Sequence, residues 1–204
     1  MPFAPFFREH GIFVVDDFLE LEVCRSIIRE MDLSDSVDGT VWRPGDGEHK
    51  REEVKRRKEM VGVPEATNAM VSERLVRLAP AISEYLDIEV SALQPIKFTR
   101  YDTGDYYRMH RDVMPGVDTS MPLVGDRKVS VIVFLGQEGD TPDEADYCGG
   151  NLTFYGLLGQ GPLQGLGLPL ESEKGMLVAF KPDIFHEVTP VTSGTRHTIT
   201  TWFM

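Results

Sequence analysis

The stretch RYDTGDYYRMHRD, residues 100–112, ends in two ligand-type side chains, His110 and Asp112, with one residue between them. In an extended strand, successive side chains point to opposite faces, so these two are expected to share a face while Arg111 turns away. One short strand would therefore present an imidazole and a carboxylate to the same site.

A second imidazole and a cation follow near the end of the chain, at His186 and Arg196. His186 would complete a set of two imidazoles and one carboxylate, which leaves open coordination positions on a non-haem Fe(II) and suits oxygen chemistry. Arg196 carries a permanent charge and a planar fork of donors, a group that holds a carboxylate in a fixed orientation. The pattern predicts a metal site together with a site for a carboxylate.

Two later segments extend the pattern: GGNLTFYG from Gly149, and KGMLVAFKPDIFHEVTPVTSGTRHTITTWF from Lys174. In this order, they and residues 100–112 resemble the Fe(II)/2-oxoglutarate dioxygenases, and among them the prolyl-hydroxylase-like group. The resemblance covers roughly residues 90–204, with a weaker likeness in the N-terminal part. The final segment, HEVTPV followed by Arg196 and TxW, is especially similar to the oxygen-sensing prolyl hydroxylases.

The resemblance implies an iron centre and a reaction. His110, Asp112 and His186 would be the metal ligands and catalytic residues, with one coordination position left for O2. 2-Oxoglutarate would be converted to succinate and CO2 while the substrate usually becomes an alcohol, and ascorbate would support the activity. Asp112 favours hydroxylation, because related halogenases lack this carboxylate and hold a halide in its place.

The resemblance also implies how the co-substrate is held. 2-Oxoglutarate would chelate the iron through its 1-carboxylate and keto oxygen, and its distal carboxylate would pair with Arg196. Tyr101 matches a tyrosine that hydrogen-bonds this carboxylate in related hydroxylases and is the second candidate, with Thr198 the third.

Three further residues are candidates for a substrate pocket: Tyr107, Thr200 and Arg127. Tyr107 lies three residues before His110 in the sequence. Its ring would either border the iron or substrate pocket or pack inside the barrel. Thr200 matches a threonine near the metal in the oxygen-sensing relatives. Arg127 is either a contact for an acidic substrate or a surface residue.

The substrate itself is left open by the sequence. A prolyl or other side chain of a polypeptide is the first hypothesis, and a free amino acid or natural-product intermediate is the alternative. Asn151 departs from the GGE motif of many prolyl 4-hydroxylases. A jelly-roll sensor that binds metal and ligand without turnover is a hypothesis of another class. Residues 34–60 and 113–126 are expected to form loops that recognise substrate.

Composition limits the partners. The net charge of −12 disfavours a nucleic-acid groove, because phosphate binding relies on Lys and Arg. The basic stretch Lys50–Lys58 is diluted by glutamates and is expected to be a solvated face. Two cysteines and no apolar run of membrane-spanning length predict reduced thiols, no membrane partner and a cytoplasmic location. The oligomeric state is not indicated.

One domain is expected over residues 1–204, with helices and loops in residues 1–88 and a jelly-roll catalytic core in residues 89–204. Apolar residues at helical spacing predict helices over residues 20–31 and 66–86. The Asp-, Gly- and Ser-rich residues 33–50 predict a loop, with a short strand around Val41 and Trp42 as an alternative within it.

In the second half of the chain, short apolar runs alternate with turn residues, which is typical of β-strands. This pattern predicts a mostly β fold with flanking helices and a double-stranded β-helix, or jelly roll, as its core. The expected strands are Leu93–Tyr101, Tyr106–Asp112, Lys128–Leu135, Gly150–Tyr155, Gly175–Phe180, Phe185–Val191 and Arg196–Phe203.

The last two strands are expected to form a hairpin through a turn at Thr192–Thr195, so that the strand starting at Arg196 returns alongside the strand of His186. Alternation places Arg196, Thr198, Thr200 and Trp202 on one face. Ile199, Phe203 and the structural His197 would lie on the opposite face, with the two apolar residues packed under the helices.

Overall fold

The structure, a computed structural model, describes residues 4–43, 47–49, 54–113, 125–139, 146–159 and 161–204. The helices are α1 Ala4–Glu9, α2 Leu21–Leu33 and α3 Glu65–Leu86. The strands are β1 Phe13–Val15, β2 Asp35–Asp38, β3 Val41–Arg43, β4 Gly47–His49, β5 Lys55–Arg56, β6 Lys58–Val61, β7 Lys97–Tyr101, β8 Tyr106–His110, β9 Val129–Phe134, β10 Tyr147–Gly149, β11 Leu152–Phe154, β12 Leu168–Leu170, β13 Leu177–Phe180, β14 His186–Val188, β15 Val191–Gly194 and β16 Arg196–Phe203.

Two antiparallel sheets form the core. The seven-stranded sheet has the order β1-β13-β9-β16-β7-β6-β2, and the five-stranded sheet has the order β12-β11-β14-β8-β5. Apolar side chains of both sheets, including Phe134 and Phe180 from the first and Leu152 and Phe154 from the second, pack in one buried cluster. The predicted mostly β jelly roll is therefore confirmed, because non-consecutive strands pair within each sheet and the two sheets enclose a common interior.

Helices α2 and α3 cover the outer face of the seven-stranded sheet. Their buried side chains, such as Ile27 and Leu75, join a cluster with Ile199 and Phe203 of β16, which confirms the predicted packing of these two residues under the helices. Helix α3 continues through Pro80 and ends at Leu86, and the next residue, Asp87, caps it with a left-handed φ of 53°. Of the helices in the described parts of the chain, none is long and apolar enough to cross a membrane.

Strands also occur in the part of the chain expected to hold only helices and loops. β2 and β6 extend the seven-stranded sheet, and β5 extends the five-stranded sheet. All four residues of β2 are exposed, so this polar edge strand, Asp35–Asp38, has no apolar alternation from which it could be predicted. The predicted loop over residues 33–50 is wrong at this strand.

The expected hairpin between the strands of His186 and Arg196 is wrong. β16 pairs with β7 and β9, whereas β14 belongs to the other sheet. The predicted turn residues instead form β15, which pairs with β10. A Cβ on Gly194 would lie 2.2 Å from the carbonyl oxygen of Asp146, so the glycine allows this close backbone approach and the crossing between sheets.

The helical layer gives a stability prediction. Leu75→Ala removes a fully buried side chain from the cluster under the sheet and should lower the free energy of unfolding by about 2–5 kcal/mol. Val76, the next residue, is 55% exposed, so Val76→Ala should change it by no more than about 0.5 kcal/mol. Urea denaturation of both variants measures the difference, and equal losses would contradict the assigned face of α3.

Candidate metal and co-substrate site

Two strands of the five-stranded sheet bring the predicted metal ligands together. His110, the last residue of β8, is the direct partner of His186, the first residue of β14. Asp112 Oδ1 lies 3.6 Å from His110 Nε2, and Asp112 Oδ2 lies 3.8 Å from His186 Nε2. The three ligand atoms are all within 4.8 Å of one another, a spacing in which one metal ion can contact all three.

Asp112 reaches the site differently from the prediction. The strand expected to run to Asp112 ends at His110, and Asp112 lies in the following loop. Its backbone N–H donates to the carbonyl oxygen of Pro182 at 2.9 Å, which fixes the loop against the segment that leads to His186. Strand alternation therefore does not place the carboxylate, although the sequence spacing still brings it to the imidazoles.

Both imidazoles are oriented by backbone carbonyls. Nδ1 of His110 is 2.8 Å from the carbonyl oxygen of Arg108, and Nδ1 of His186 is 2.9 Å from that of Ile184. Because a carbonyl oxygen can only accept, each Nδ1 is assigned the hydrogen, which leaves a lone pair on each Nε2. This is the tautomer that a metal requires when it binds through Nε2.

The charges of His186 and Asp112 also suit a divalent metal. Burial, reinforced by His110, lowers the pKa of His186 to about 4, so this imidazole is neutral near pH 7. Burial would raise the pKa of Asp112, but the two imidazoles and the hydroxyl of Ser130 together lower it below its usual range. A neutral imidazole beside an ionised carboxylate is the protonation state needed for metal binding.

Ser130 is a residue that the sequence analysis missed. Its hydroxyl donates to Asp112 Oδ2 at 2.6 Å and holds the carboxylate towards the histidines. The sequence could have indicated a role for Ser130, since it is the only polar residue in the buried strand VSVIVF, residues 129–134. A lone hydroxyl in a fully buried strand needs a partner, and here the partner is a candidate metal ligand.

Two of the three candidate pocket residues lie against the metal ligands. The ring of Tyr107 stacks on that of His110, with a centroid separation of 3.5 Å and an angle of 16°. Arg127 donates to the carbonyl oxygen of Asp112 at 3.1 Å and lies over the ring of Trp202 at 3.6 Å. Thr200, the third, is half-buried on β16, where it pairs with Lys97 of β7 and Ile132 of β9.

Arg196 forms a second, cationic part of the site. It is 1% exposed, and its Nε and Nη2 have no hydrogen-bond partner in the described residues. Its Nη1 donates to Thr198 Oγ1 at 3.4 Å, and its Cζ lies 5.2 Å from the ring centre of Tyr101 and 5.3 Å from that of Phe134. A buried guanidinium with unpaired donors is costly, so this position calls for an anionic ligand.

A polar network lies behind this guanidinium. Tyr147 lies close enough to Arg196 for the two side chains to interact, and its hydroxyl is 2.7 Å from Ser172 Oγ. Ser172 donates to Glu138, which also accepts from Asn151. Burial raises the pKa of Glu138, and this effect outweighs the opposing effects of Ser172 and Arg196.

The Gly149–Gly150 pair makes room for Arg196. A Cβ on Gly150 would lie 2.9 Å from Val191 Cγ2 and 3.1 Å from Arg196 Cδ. Gly150 also has a φ of 64°, which side-chain-bearing residues rarely adopt. The side-chain stem of Arg196 therefore packs directly on backbone that only glycine can supply.

The basic stretch is the expected solvated face only in part, because the side chains of Arg56 and Lys58 are about half exposed whereas others turn inward. Within the described part of Lys50–Lys58, Lys55 and Arg57 are buried. Arg57 Nη1 donates to the hydroxyl of Tyr101 at 3.0 Å, so this stretch contributes a cation beside the Arg196 pocket. The glutamates that suggested solvation include Glu59, which instead binds Arg57.

Comparison with known proteins identifies the family. The sequence profile of the 2OG-Fe(II) oxygenase superfamily matches residues 96–204, so the chain belongs to this superfamily, whose members use Fe(II), 2-oxoglutarate and O2. The matched region contains His110, Asp112, His186 and Arg196. Among curated protein sequences, none matches this chain significantly.

Solved structures of prolyl hydroxylases have the same fold. A Pseudomonas putida prolyl-4-hydroxylase is 23% identical, with a TM-score of 0.67 over 95% of this chain and 92% of its own. A Trichoplax adhaerens prolyl hydroxylase in complex with a hypoxia inducible factor peptide fragment is 16% identical, with a TM-score of 0.70 over 98% and 86%. A viral collagen prolyl hydroxylase from Paramecium Bursaria Chlorella virus-1, in complex with 2OG, is 17% identical, with a TM-score of 0.58 over 95% of each chain.

Ser130→Ala tests the support of Asp112. Without the hydroxyl, the carboxylate is less well oriented, and the affinity for Fe(II) or Mn(II) should fall by about 10- to 100-fold. Ser91→Ala, which removes an exposed hydroxyl bonded to the carbonyl oxygen of Met204, is the control and should leave metal affinity unchanged. Metal titration measures both variants, and wild-type affinity in Ser130→Ala would show that Asp112 needs no such support.

Gly150→Ala tests the packing against Arg196. The added methyl group should displace the guanidinium stem and weaken binding of 2-oxoglutarate by at least about tenfold, because a carboxylate-binding group must be placed within about 0.5 Å. Gly156→Ala is the matched control: its φ of 76° is equally strained, at a cost of roughly 1–2 kcal/mol, but its Cβ would meet nothing within 4 Å. Calorimetric titration should separate the two variants; the same loss in both would assign the effect to backbone strain alone.

Proposed function

We propose that this chain is a 2-oxoglutarate- and Fe(II)-dependent hydroxylase that acts on a prolyl or other side chain of a polypeptide. The reaction would convert substrate, 2-oxoglutarate and O2 into hydroxylated substrate, succinate and CO2. The observation that carries the proposal is the convergence of three metal-competent side chains in the same interior as a buried guanidinium without an anionic partner among the described residues. We treat residues 1–204 as one domain, with residues 89–204 as its catalytic core.

His110, Asp112 and His186 would hold Fe(II) through Nε2, a carboxylate oxygen and Nε2. Their geometry supports this role, since both imidazoles are held by backbone carbonyls and the carboxylate by Ser130. Bound Fe(II) would supply the oxygen activation, and a set of two imidazoles and one carboxylate is the kind that leaves positions for other ligands on such a metal.

β16 connects the metal ligands with the cationic pocket. Arg196 lies at its start, and Trp202, near its end, pairs with Ser130, which binds Asp112. Thr198 and Thr200 lie between them on the same face. A dicarboxylate placed along this face would have one carboxylate at Arg196, with Tyr101 and Thr198 as further donors, and its other end directed to the metal.

The proposal of a polypeptide substrate is supported by the proteins that share this fold. The three similar structures are named as prolyl hydroxylases, and one of them contains a peptide fragment. Asn151, which stands in place of a motif acidic residue, binds Glu138 and so remains inside the polar network behind Arg196. The loops expected to recognise substrate lie partly outside the described residues, at 44–46, 50–53 and 114–124, and their role in recognition stays a prediction.

Product analysis tests the function. The protein is reconstituted anaerobically with Fe(II) and 2-oxoglutarate, mixed with proline-containing peptides or free amino acids, and exposed to O2. We expect a peptide to gain about 16 Da, one oxygen atom, together with stoichiometric succinate. If only a free amino acid gained this mass, the substrate would be a small molecule and not a polypeptide. If the protein bound metal and 2-oxoglutarate but formed no succinate, a sensor function would be favoured.

Arg196→Ala separates co-substrate binding from metal binding. Removing one member of a buried charge pair costs about 2–5 kcal/mol, so affinity for 2-oxoglutarate should fall tens- to thousands-fold, while metal affinity should change little. Arg100→Ala is the control, because Arg100 of the adjacent β7 pairs with Asp102 at 2.8 Å near the surface. Undiminished 2-oxoglutarate affinity in Arg196→Ala would move the carboxylate site elsewhere.

A further inference from the structure

Arg57 lies where the chain passes from one sheet to the other. It separates β5, which pairs with β8, from β6, which pairs with β7. The residue before it, Arg56, pairs with Tyr106, and the residue after it, Lys58, pairs with Arg100. The side chain of Arg57 is only 8% exposed, so its guanidinium enters the interior beside residues of both sheets.

The guanidinium of Arg57 is fixed at both of its terminal nitrogens. Nη1 donates to the hydroxyl of Tyr101 at 3.0 Å, and Nη2 is 3.3 Å from Glu59 Oε1. The other carboxylate oxygen of Glu59 accepts from Lys97 at 3.1 Å. Burial alone would raise the pKa of Glu59, but Arg57 and Lys97 lower it, so an ionised carboxylate anchors the guanidinium.

This contact determines where the hydroxyl hydrogen of Tyr101 can point. A guanidinium only donates, so the phenol oxygen must accept from Arg57, and its own hydrogen must face away from Arg57. Two guanidinium groups lie near the ring of Tyr101, with Cζ of Arg57 at 5.8 Å and Cζ of Arg196 at 5.2 Å from the ring centre. Neither cation can accept the hydrogen.

Both guanidinium groups near Tyr101 therefore have buried donors without an acceptor. Nε of Arg57, and Nε and Nη2 of Arg196, are buried and have no hydrogen-bond partner within the described residues. The only hydrogen bond of the Tyr101 hydroxyl within the described residues is the one it accepts from Arg57. A group of buried donors that lacks an acceptor is the complement of a carboxylate.

We propose that Arg57 is a positioning residue, which holds Tyr101 so that its hydroxyl donates to the distal carboxylate of 2-oxoglutarate. The inference rests on the proposed function and deepens it. Glu59 fixes Arg57, and Arg57 fixes the phenol before the co-substrate arrives, so less side-chain freedom is lost on binding. The basic stretch of the sequence thereby takes part in co-substrate affinity without contacting the metal.

A double-mutant cycle tests this role with 2-oxoglutarate as the probe, titrated calorimetrically into Mn(II)-loaded wild type, Arg57→Met, Tyr101→Phe and the double variant. Each single variant should weaken binding about two- to tenfold, as expected for one hydrogen bond. In the Tyr101→Phe background, Arg57→Met should cause less than about a twofold further loss, because the group that it positions is absent.

Arg56→Met is the matched control. Arg56 is the neighbouring residue, but its Nε binds Asp105 at 2.7 Å and its side chain is half exposed, so its removal should leave the affinity unchanged. If Arg57→Met does not fold, Glu59→Gln tests the same role, because this change weakens the anchor of the Arg57 guanidinium but keeps the guanidinium itself. Glu59→Gln should weaken binding less than Tyr101→Phe does, and only when the Tyr101 hydroxyl is present.

Two results would overturn the inference while leaving the proposed function in place. One is wild-type affinity in Arg57→Met, and the other is an equal loss on removing Arg57 with and without the Tyr101 hydroxyl. If Mn(II)-loaded wild type bound no 2-oxoglutarate at all, both the proposed function and the inference would be overturned. Loss of binding in Arg196→Ala with normal binding in Arg57→Met would overturn the role of Arg57 alone.

Discussion

The pairing of β8 with β14 is the interaction on which the rest of the site depends. It sets His110 directly opposite His186, and the loops at the ends of the two strands are joined by the hydrogen bond from Asp112 to Pro182. Three ligand atoms that are far apart in the sequence thereby meet at one edge of the five-stranded sheet. A shift of this pairing by one residue would turn one imidazole to the outer face, so the register of a single strand pair decides whether the metal site exists.

The seven-stranded sheet supplies what the metal ligands lack. β16 carries Arg196 into a pocket of donors, and β9 carries Ser130 to the carboxylate of Asp112, a candidate metal ligand. The two sheets must therefore face each other at a fixed distance, which the apolar cluster between them and the helical layer behind β16 maintain. Burial of an unpaired guanidinium is unfavourable for folding, and the fold tolerates it because the same desolvation strengthens the interaction with an anionic ligand.

The residues of the candidate site could be predicted from the sequence more fully than the pairing of the strands. Ligand chemistry and sequence spacing are local, so the set of His110, Asp112, His186 and Arg196 could be predicted from spacing and family resemblance, although strand alternation did not place Asp112. Pairing is not local, which is why β16 was assigned to the wrong neighbour and why short strands such as β2 and β10 were missed. The burial of Arg57 depends on the chain changing sheets at that residue, and its charged neighbours gave the opposite signal. Ser130 could have been found, because a lone hydroxyl in an apolar strand calls for a partner.

Anomalous diffraction at the iron absorption edge, from crystals loaded anaerobically with Fe(II) and 2-oxoglutarate, tests the central claim most directly. The account predicts one iron peak in contact with His110 Nε2, Asp112 and His186 Nε2, and the distal carboxylate of 2-oxoglutarate within hydrogen-bond distance of Arg196 and Tyr101. An iron peak elsewhere, or a co-substrate whose distal carboxylate lies away from Arg196, would contradict it.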